Sequence, residues 1–252
     1  MIVSSYPSDF YDFLARTEER HYWFVNRNRL ILSTMREVVG QLKGKSVLDM
    51  GCGTGFVLAA LGQAGMVPYG VDMHAEGLAY ARDRIPGCVL ARDVGELAGA
   101  PPFDVVMLCD VIEHVQRESD ILQRARDALK VNGHVVVTVP AHGWMWSAAD
   151  QASGHWRRYT KAALITALQR ASFGVVTARY FNFLTLPFQV AAQWAEKCWP
   201  YGAEQPLLLE RRLAVPPEPL NRLLKACFPL ELILSRLPIS AGSSLIAVGQ
   251  PV

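Results

Sequence analysis

The chain has 252 residues, 51% hydrophobic and 19% charged, which supplies the core of one large α/β domain with elaborations. A formal net charge of +2 argues against a dedicated nucleic-acid surface. Cys52, Cys88, Cys109, Cys198 and Cys227 are scattered and form no C-x-x-C pair, which argues against a disulfide framework or a zinc site.

No run approaches the ~18 uniformly apolar residues of a membrane-spanning helix. The first residues lack the basic and apolar regions of a secretion signal, so a cytoplasmic location is expected.

In chain order, residues 4–40 read as helical, with Ser8 placed to cap a segment holding Phe10, Phe13 and Leu14. His21-Tyr22-Trp23-Phe24 follows, then Arg27 and Arg29, then an apolar helix from Leu30 to Val39. The aromatic cluster either packs this region onto the core or forms a lid, with Arg27 or Arg29 pairing a ligand carboxylate.

Val47 and Leu48 read as the end of a buried strand. Gly51, Gly53 and Gly55 alternate after it, and Phe56 to Leu61 starts a helix. Bare glycine backbone lets a ligand approach closely, and the helix N-terminus adds a positive dipole end. Together they form a cradle of the nucleotide-binding kind. The spacing is G-x-G-x-G, not the G-x-G-x-x-G of a nicotinamide oxidoreductase.

Val67 to Val71 is the second strand and ends in Asp72. An acid about twenty residues past the glycines is placed to accept both ribose hydroxyls. It could also cap the helix from Ala75 to Arg84. Gly87 to Ala91 is the third strand, and Asp93 behind it is a candidate acceptor for an adenine amino group. Phe103 to Cys109 is nearly all apolar, as a central parallel strand should be. It stops at Asp110-Val111-Ile112-Glu113-His114-Val115. A helix with Ile121, Leu122, Ala125, Ala128 and Leu129 on one face follows, and Asn132-Gly133 ends it. His134 to Val139 is the next strand, stopped by Pro140. This alternation predicts a doubly wound α/β sheet with right-handed crossovers.

Val47-Leu48-Asp49-Met50-Gly51-Cys52-Gly53-Thr54-Gly55 resembles motif I of the class I S-adenosylmethionine-dependent methyltransferases. Tyr69-Gly70-Val71-Asp72 is similar to their second-strand motif, and Phe103-Asp104-Val105-Val106 with Glu113-His114-Val115 to their fourth-strand motif. Leu129 to Val135 resembles the turn before strand five, with Val-Asn where Pro-Gly is usual. The resemblance covers residues 47–140 closely and the rest loosely. It implies a Rossmann-like seven-stranded sheet with the last strand antiparallel. Gly174 to Tyr180 would be strand six and Ser244 to Gly249 strand seven. It implies that Gly51, Gly53 and Gly55 cradle the cofactor and that Asp49 anchors the loop. Asp72, with Met73 beside it, would hold the ribose, and Asp93 with Val94 would meet the adenine.

Three features bear on the acceptor. Asp110-x-x-Glu113-His114 resembles the Glu-x-x-Glu-His metal site of ubiquinone-pathway O-methyltransferases and small-RNA 2′-O-methyltransferases. It offers oxygen and nitrogen ligands for a divalent cation. The other reading of these residues is structural or substrate-orienting. The second feature is the aromatic loop after strand five. His142 or His155 there is a candidate general base, with Asp110 a third. Arg157 and Arg158 are candidates to pair a phosphate or carboxylate, and Trp144, Trp146 and Tyr159 to line the acceptor. The plainer reading is that the tryptophans pack the loop and the arginines face solvent. This loop looks like those of bacterial methyltransferases of polysaccharide, glycolipid and polyketide pathways. The third feature is an apolar insertion, 181–242, with Leu207 to Leu209, Leu223-Leu224, Phe228, Leu230 and Leu232 to Leu234, cut into short helices by prolines. It either roofs the acceptor pocket or makes a homodimer, or it docks weakly on a membrane, which would place the protein at the inner membrane surface.

The expected organisation is an N-terminal cap (1–40), a core (41–180 and 243–252) and the insertion (181–242). The expected activity is transfer of a methyl group from S-adenosylmethionine to a small-molecule or lipid-linked acceptor, leaving S-adenosylhomocysteine. Hydroxyl oxygen is the first choice and carbon the alternative. A non-catalytic cofactor-binding subunit is the competing class.

Overall fold

The computed structural model describes residues 8–97, 100, 102–198 and 205–252. The side chains of Ser8, Cys198 and Leu207 lie outside what is described. Among the described residues the helices and strands run α1 (Ser8–Thr17), α2 (Tyr22–Val38), β1 (Ser46–Met50), α3 (Phe56–Gln63), β2 (Val67–Val71), α4 (Ala75–Arg84), β3 (Val89–Ala91), β4 (Phe103–Cys109), α5 (Glu118–Asp127), β5 (Leu129–Pro140), α6 (Ala148–Ala152), α7 (Lys161–Arg170), β6 (Phe173–Phe181), α8 (Leu186–Cys198), α9 (Gln205–Arg212), α10 (Glu218–Ala226), α11 (Phe228–Arg236) and β7 (Ser244–Pro251).

The sheet has seven strands in the order β3-β2-β1-β4-β5-β7-β6. The first five are parallel, and β7 runs antiparallel between β5 and β6. Strand alternation sends successive side chains to opposite faces. Leu48, Val106, Leu108, Val135 and Val137 pack under α5 and α7 through Leu122 and Leu164. Val47, Val105, Met107, Val136 and Ile246 pack under α2, α3 and α4 through Ile31, Leu61 and Leu78. Each such aliphatic side chain contributes about 1.5–3 kcal/mol by leaving water. Truncating Leu48, fully buried on β1, to Ala would cost about 2–5 kcal/mol.

Two expectations change. Residues 4–40 divide into α1 and α2, joined by a short turn. The His21 Nδ1 there accepts the Trp23 N–H at 3.1 Å and caps α2. And α5 stops at Asp127, because Leu129 already pairs with Phe103 in the sheet. The register then shifts so that Val105 faces His134. Asn132-Gly133 therefore marks an irregularity inside β5, not a helix end. A Cβ on Gly133 would sit 2.8 Å from the Leu129 side chain and 3.0 Å from the Phe103 carbonyl oxygen, so the close strand approach requires glycine.

The region 181–242 holds α8 to α11 among the described residues. Helix α9 packs against α1 and α6, α10 against α2, and α11 against β6. The buried Asn221 of α10 joins the two ends of the chain. Its Oδ1 accepts the Tyr22 N–H at 2.9 Å, and its Nδ2 donates to the Arg20 carbonyl at 2.8 Å. The N-terminal helices and the insertion thus meet over the C-terminal ends of the strands. Among the described residues, no helix is long and apolar enough to cross a membrane.

Candidate functional site

A cavity of about 720 Å³ opens where the strand order reverses, beside the ends of β1, β2 and β4. Its size is that of a ligand pocket. The glycine turn forms one wall. The Gly51 and Cys52 N–H groups donate to the Val71 carbonyl at 2.7 and 3.0 Å, which ties the turn to β2. Gly53, with φ +52°, has nothing within 4 Å of where a Cβ would stand, so its bare backbone faces open space. Gly55, with φ +76°, starts α3, and a Cβ there would lie 3.0 Å from Ala81.

Asp72 follows β2 and accepts the Gly53 N–H at 2.8 Å and the His74 N–H at 2.9 Å. Each carboxylate oxygen keeps acceptor capacity for a ligand hydroxyl. Burial lifts its carboxyl above the usual range, against the pull of these two N–H groups. Asp49 is fully buried on β1, and its Oδ1 has no protein partner. Burial pushes its carboxyl up to about 7; Arg27 opposes this, and Asp72 and Asp110 add to it. A cavity that crowds carboxyl groups in this way favours a cationic ligand. A sulfonium cofactor with a ribose and an ammonium fits both this charge and the open glycine backbone. Met73 and Val94 also line the cavity. Asp93 accepts the Gly95 N–H at 2.9 Å and pairs with Arg124 at 3.1 Å, so its carboxylate is already shared.

Arg27 is buried and pairs with Asp110, and its guanidinium lies 4.7 Å from the Trp23 ring centroid. Its Nε has no protein partner. Trp23 and Phe24 line the cavity, so the aromatic cluster serves as both packing and cover. Arg29 turns outward instead, to the Lys225 carbonyl at 3.2 Å. Leu209 and Leu213 complete the cover from the insertion. Glu18 was not foreseen. It is buried, bonds to the Thr54 hydroxyl and pairs with Arg84 at 2.9 Å, fixing the α1–α2 turn to the glycine turn.

His155 reaches the far wall. Its Nδ1 lies 2.9 Å from Asp150 Oδ1. Asp150 is buried and also takes the Ser147 N–H and hydroxyl and two Arg158 nitrogens, at 2.7–2.9 Å. Burial alone would raise its carboxyl, but the bonds from His155 and Arg158 hold it well below the usual range. An ionised Asp150 keeps the proton on His155 Nδ1 and leaves Nε2 as a base. Glu113 is buried with both carboxylate oxygens unpartnered by protein, and burial with the nearby Asp110 charge pushes it well up. Burial and His155 lower His114 to about 3, so it is neutral at pH 7.

Several expected acceptor residues stand elsewhere. Arg158 is consumed by Asp150, and Arg157 by Glu118 and the Gln116 carbonyl, the latter at 2.5 Å. His142 stacks flat on Tyr180 at 5.0 Å, with Trp144 against it at 5.4 Å and largely exposed. The Trp146 carbonyl accepts from Gln193 at 2.7 Å. Tyr159 is buried and bridges backbone to Ala141. None of these six side chains lines the cavity. The candidate metal ligands change too. Asp110 is taken by Arg27, and His155 joins Glu113 and His114, with one donor atom from each lying within 4.8 Å of the others.

Residues 17–178, more than half of the chain, match a family described as a methyltransferase domain. The chain belongs to this family. The ubiquinone biosynthesis O-methyltransferase of Shewanella halifaxensis (strain HAW-EB4) is 34% identical to this methyltransferase over 117 residues, 44% of this chain and 50% of that protein. The one from Sodalis glossinidius (strain morsitans) is 37% identical over 115 residues, 43% and 46% of the two chains. The chain spans about half the length of the curated relatives it matches. An S-adenosylmethionine-dependent methyltransferase structure from Mesorhizobium loti matches with a TM-score of 0.54 at 18% identity, covering 88% of this chain and 97% of that one. Another, from Archaeoglobus fulgidus, matches at 0.52 and 17%, covering 88% and 94%. This methyltransferase therefore has the fold of S-adenosylmethionine-dependent methyltransferases.

Proposed function

We propose that this methyltransferase moves the methyl group of S-adenosylmethionine to a hydroxyl oxygen of a small-molecule or lipid-linked acceptor, leaving S-adenosylhomocysteine. One observation carries the reading: a single cavity joins the glycine turn and Asp72 to the His155–Asp150 pair. The relatives named for ubiquinone biosynthesis O-methylation support oxygen as the target.

The cofactor supplies an electrophilic methyl on a sulfonium cation. Gly51 and Gly53 admit it to the backbone, Gly55, which does not line the cavity, lets α3 start close against Ala81 of α4, and Asp72 accepts its ribose hydroxyls. Asp49 offers its unpartnered oxygen to the cation, and Arg27 Nε is left for a carboxylate. Asp93 and Val94 meet the adenine. Trp23, Phe24, Leu209 and Leu213 exclude water and present an apolar wall to the acceptor. His155 Nε2 takes the hydroxyl proton. Most of the rate comes from positioning. The 1–40 cap and the 181–242 insertion act as one roof over the 41–180 and 243–252 core.

A second use of the same wall is a divalent cation on Glu113, His114 and His155, favoured by the two unpartnered Glu113 oxygens. It would polarise the hydroxyl in place of a histidine base.

The test is incubation with methyl-labelled S-adenosylmethionine and an extract of the source organism. Label in small-molecule or lipid fractions, recovered as methyl ethers, is the expected result. No label in any fraction, with cofactor binding intact, overturns the reading.

A further inference from the structure

Asp49 stands in the middle of the sheet, between Gly70 of β2 and Met107 of β4. It is 1% exposed and lines the cavity, and its Oδ1 has no protein partner. The neighbouring acids are better served. Asp72 accepts two N–H groups, and Asp110 is paired with Arg27. A buried carboxylate without donors is costly, so Asp49 is the acid that the site equips least to be ionised.

The charges that face it mostly work the same way. Asp72, after β2, and Asp110, after β4, add their negative charge, and Arg27, on α2, opposes them. Burial pushes the nearby Cys52, Cys88 and Cys109 thiols above their ordinary range, so they carry no charge at neutral pH. Burial also outweighs Arg27 and holds the Asp49 carboxyl at about 7.

Arg27 has an unused atom of its own, the buried Nε. One acceptor, Asp49 Oδ1, and one donor, Arg27 Nε, are thus left open on two groups that feel each other's charge. An α-amino acid carries an ammonium and a carboxylate on one carbon and answers both. The methionine part of the cofactor is such a group.

We propose that the ammonium of the arriving cofactor drives the proton off Asp49, so that cofactor uptake releases a proton to solvent. This rests on the proposed cofactor and on nothing about the acceptor. The Asp49 O–H bond breaks, its proton leaves to water or buffer, and the carboxylate left behind accepts from the ammonium, which keeps all its protons. A carboxylate beside a cation in a pocket of low dielectric stays ionised well below neutral pH. Affinity therefore strengthens as pH rises towards about 7 and levels off above it.

Calorimetry of S-adenosylhomocysteine binding to the whole chain, repeated in two buffers of different ionisation heat, counts the protons released. No acceptor is needed, so the result is independent of methyl transfer. Adenosine is the control ligand. It has the ribose but no ammonium, so any proton that Asp72 gives up appears with both ligands. The release with S-adenosylhomocysteine should exceed that with adenosine by about 0.9 proton at pH 6 and by about 0.1 at pH 8, with affinity about tenfold tighter at pH 8. Asp49→Asn should lose the excess, and its affinity should change less than about twofold between the two pH values. Asn matches the neutral carboxyl in shape, so melting at pH 6 should stay close to wild type. Binding of S-adenosylhomocysteine at pH 6 with no more release than adenosine overturns the inference and leaves the cofactor reading standing, as does an equal excess in the Asn variant. No binding of S-adenosylhomocysteine at either pH overturns the cofactor reading and the inference with it.

Discussion

Arg27 on α2 and Asp110 at the end of β4, 83 residues apart in sequence, form an ion pair inside the cavity. Asp110 adopts the left-handed φ of 56°, which places it behind the strand end and under the roof. The pair ties the roof to the sheet at the point where cofactor and acceptor would meet. Arg27→Met would leave the Asp110 charge beside Asp49 and Glu113. A loss of about 3–5 kcal/mol of stability is expected in denaturant unfolding. A change below about 1 kcal/mol would show that the pair holds nothing.

Asp72→Ala should lower S-adenosylhomocysteine affinity at least about tenfold by calorimetry, because two ribose hydroxyls lose their acceptor. Unchanged affinity would sink the ribose assignment.

Gly53→Ala isolates the cradle. No protein atom lies within 4 Å of the added carbon, so the folding cost is the left-handed backbone alone, about 1–2 kcal/mol. Affinity for the same ligand should nonetheless fall sharply. Equal binding by the variant would mean that the ligand does not approach this backbone.

His155→Gln should reduce kcat by about 10²–10⁴ while leaving S-adenosylhomocysteine binding in place. Exhaustive chelation should leave the wild type active, since His155 then acts as the base. Activity lost to chelator and restored by a divalent cation would make His155 a ligand instead.

His21 contributes to the pH dependence of stability, beside His114, which burial lowers further. Burial, and then the Lys225 charge, lower His21 from 6.5 to about 4, and its Nδ1 must stay unprotonated to accept the Trp23 N–H. Between these values the unfolded chain binds more protons than the folded one. Stability is therefore full above about 6.5 and falls as pH drops towards 4, by roughly 3 kcal/mol. Melting curves across this window should flatten in His21→Asn, whose side chain caps without titrating. An equally steep curve in the variant would remove His21 as the cause.

The sheet was legible because its signals are local. Val105 to Leu108 reads as a strand buried on both faces, and Gly51 to Gly55 can hardly be anything but a turn of positive φ. The acceptor side was less so, because an arginine does not announce its partner. Arg158 looked available for a ligand, yet Asp150 eight residues earlier already holds it. The Ser147-x-x-Asp150 capping pattern lay in the same stretch and could have been read as a reason for Asp150 to be buried. No local pattern links Glu18 to Thr54 and Arg84, or Leu209 to the cavity, since those contacts exist only once distant segments meet.

The Asn221 bonds to Tyr22 and Arg20 span 199 and 201 residues. A contact so remote pays its loop-closure entropy before it returns anything, so it forms late. Strands β1 to β5 and the glycine turn depend on nearer neighbours and can settle first, whereas β7, which completes the sheet between β5 and β6, follows α10 in the chain. During synthesis the first turn of α2 must wait, without this partner, until α10 has left the ribosome. The nascent protein therefore passes through a stage in which the nucleotide end is built and its mouth is still open.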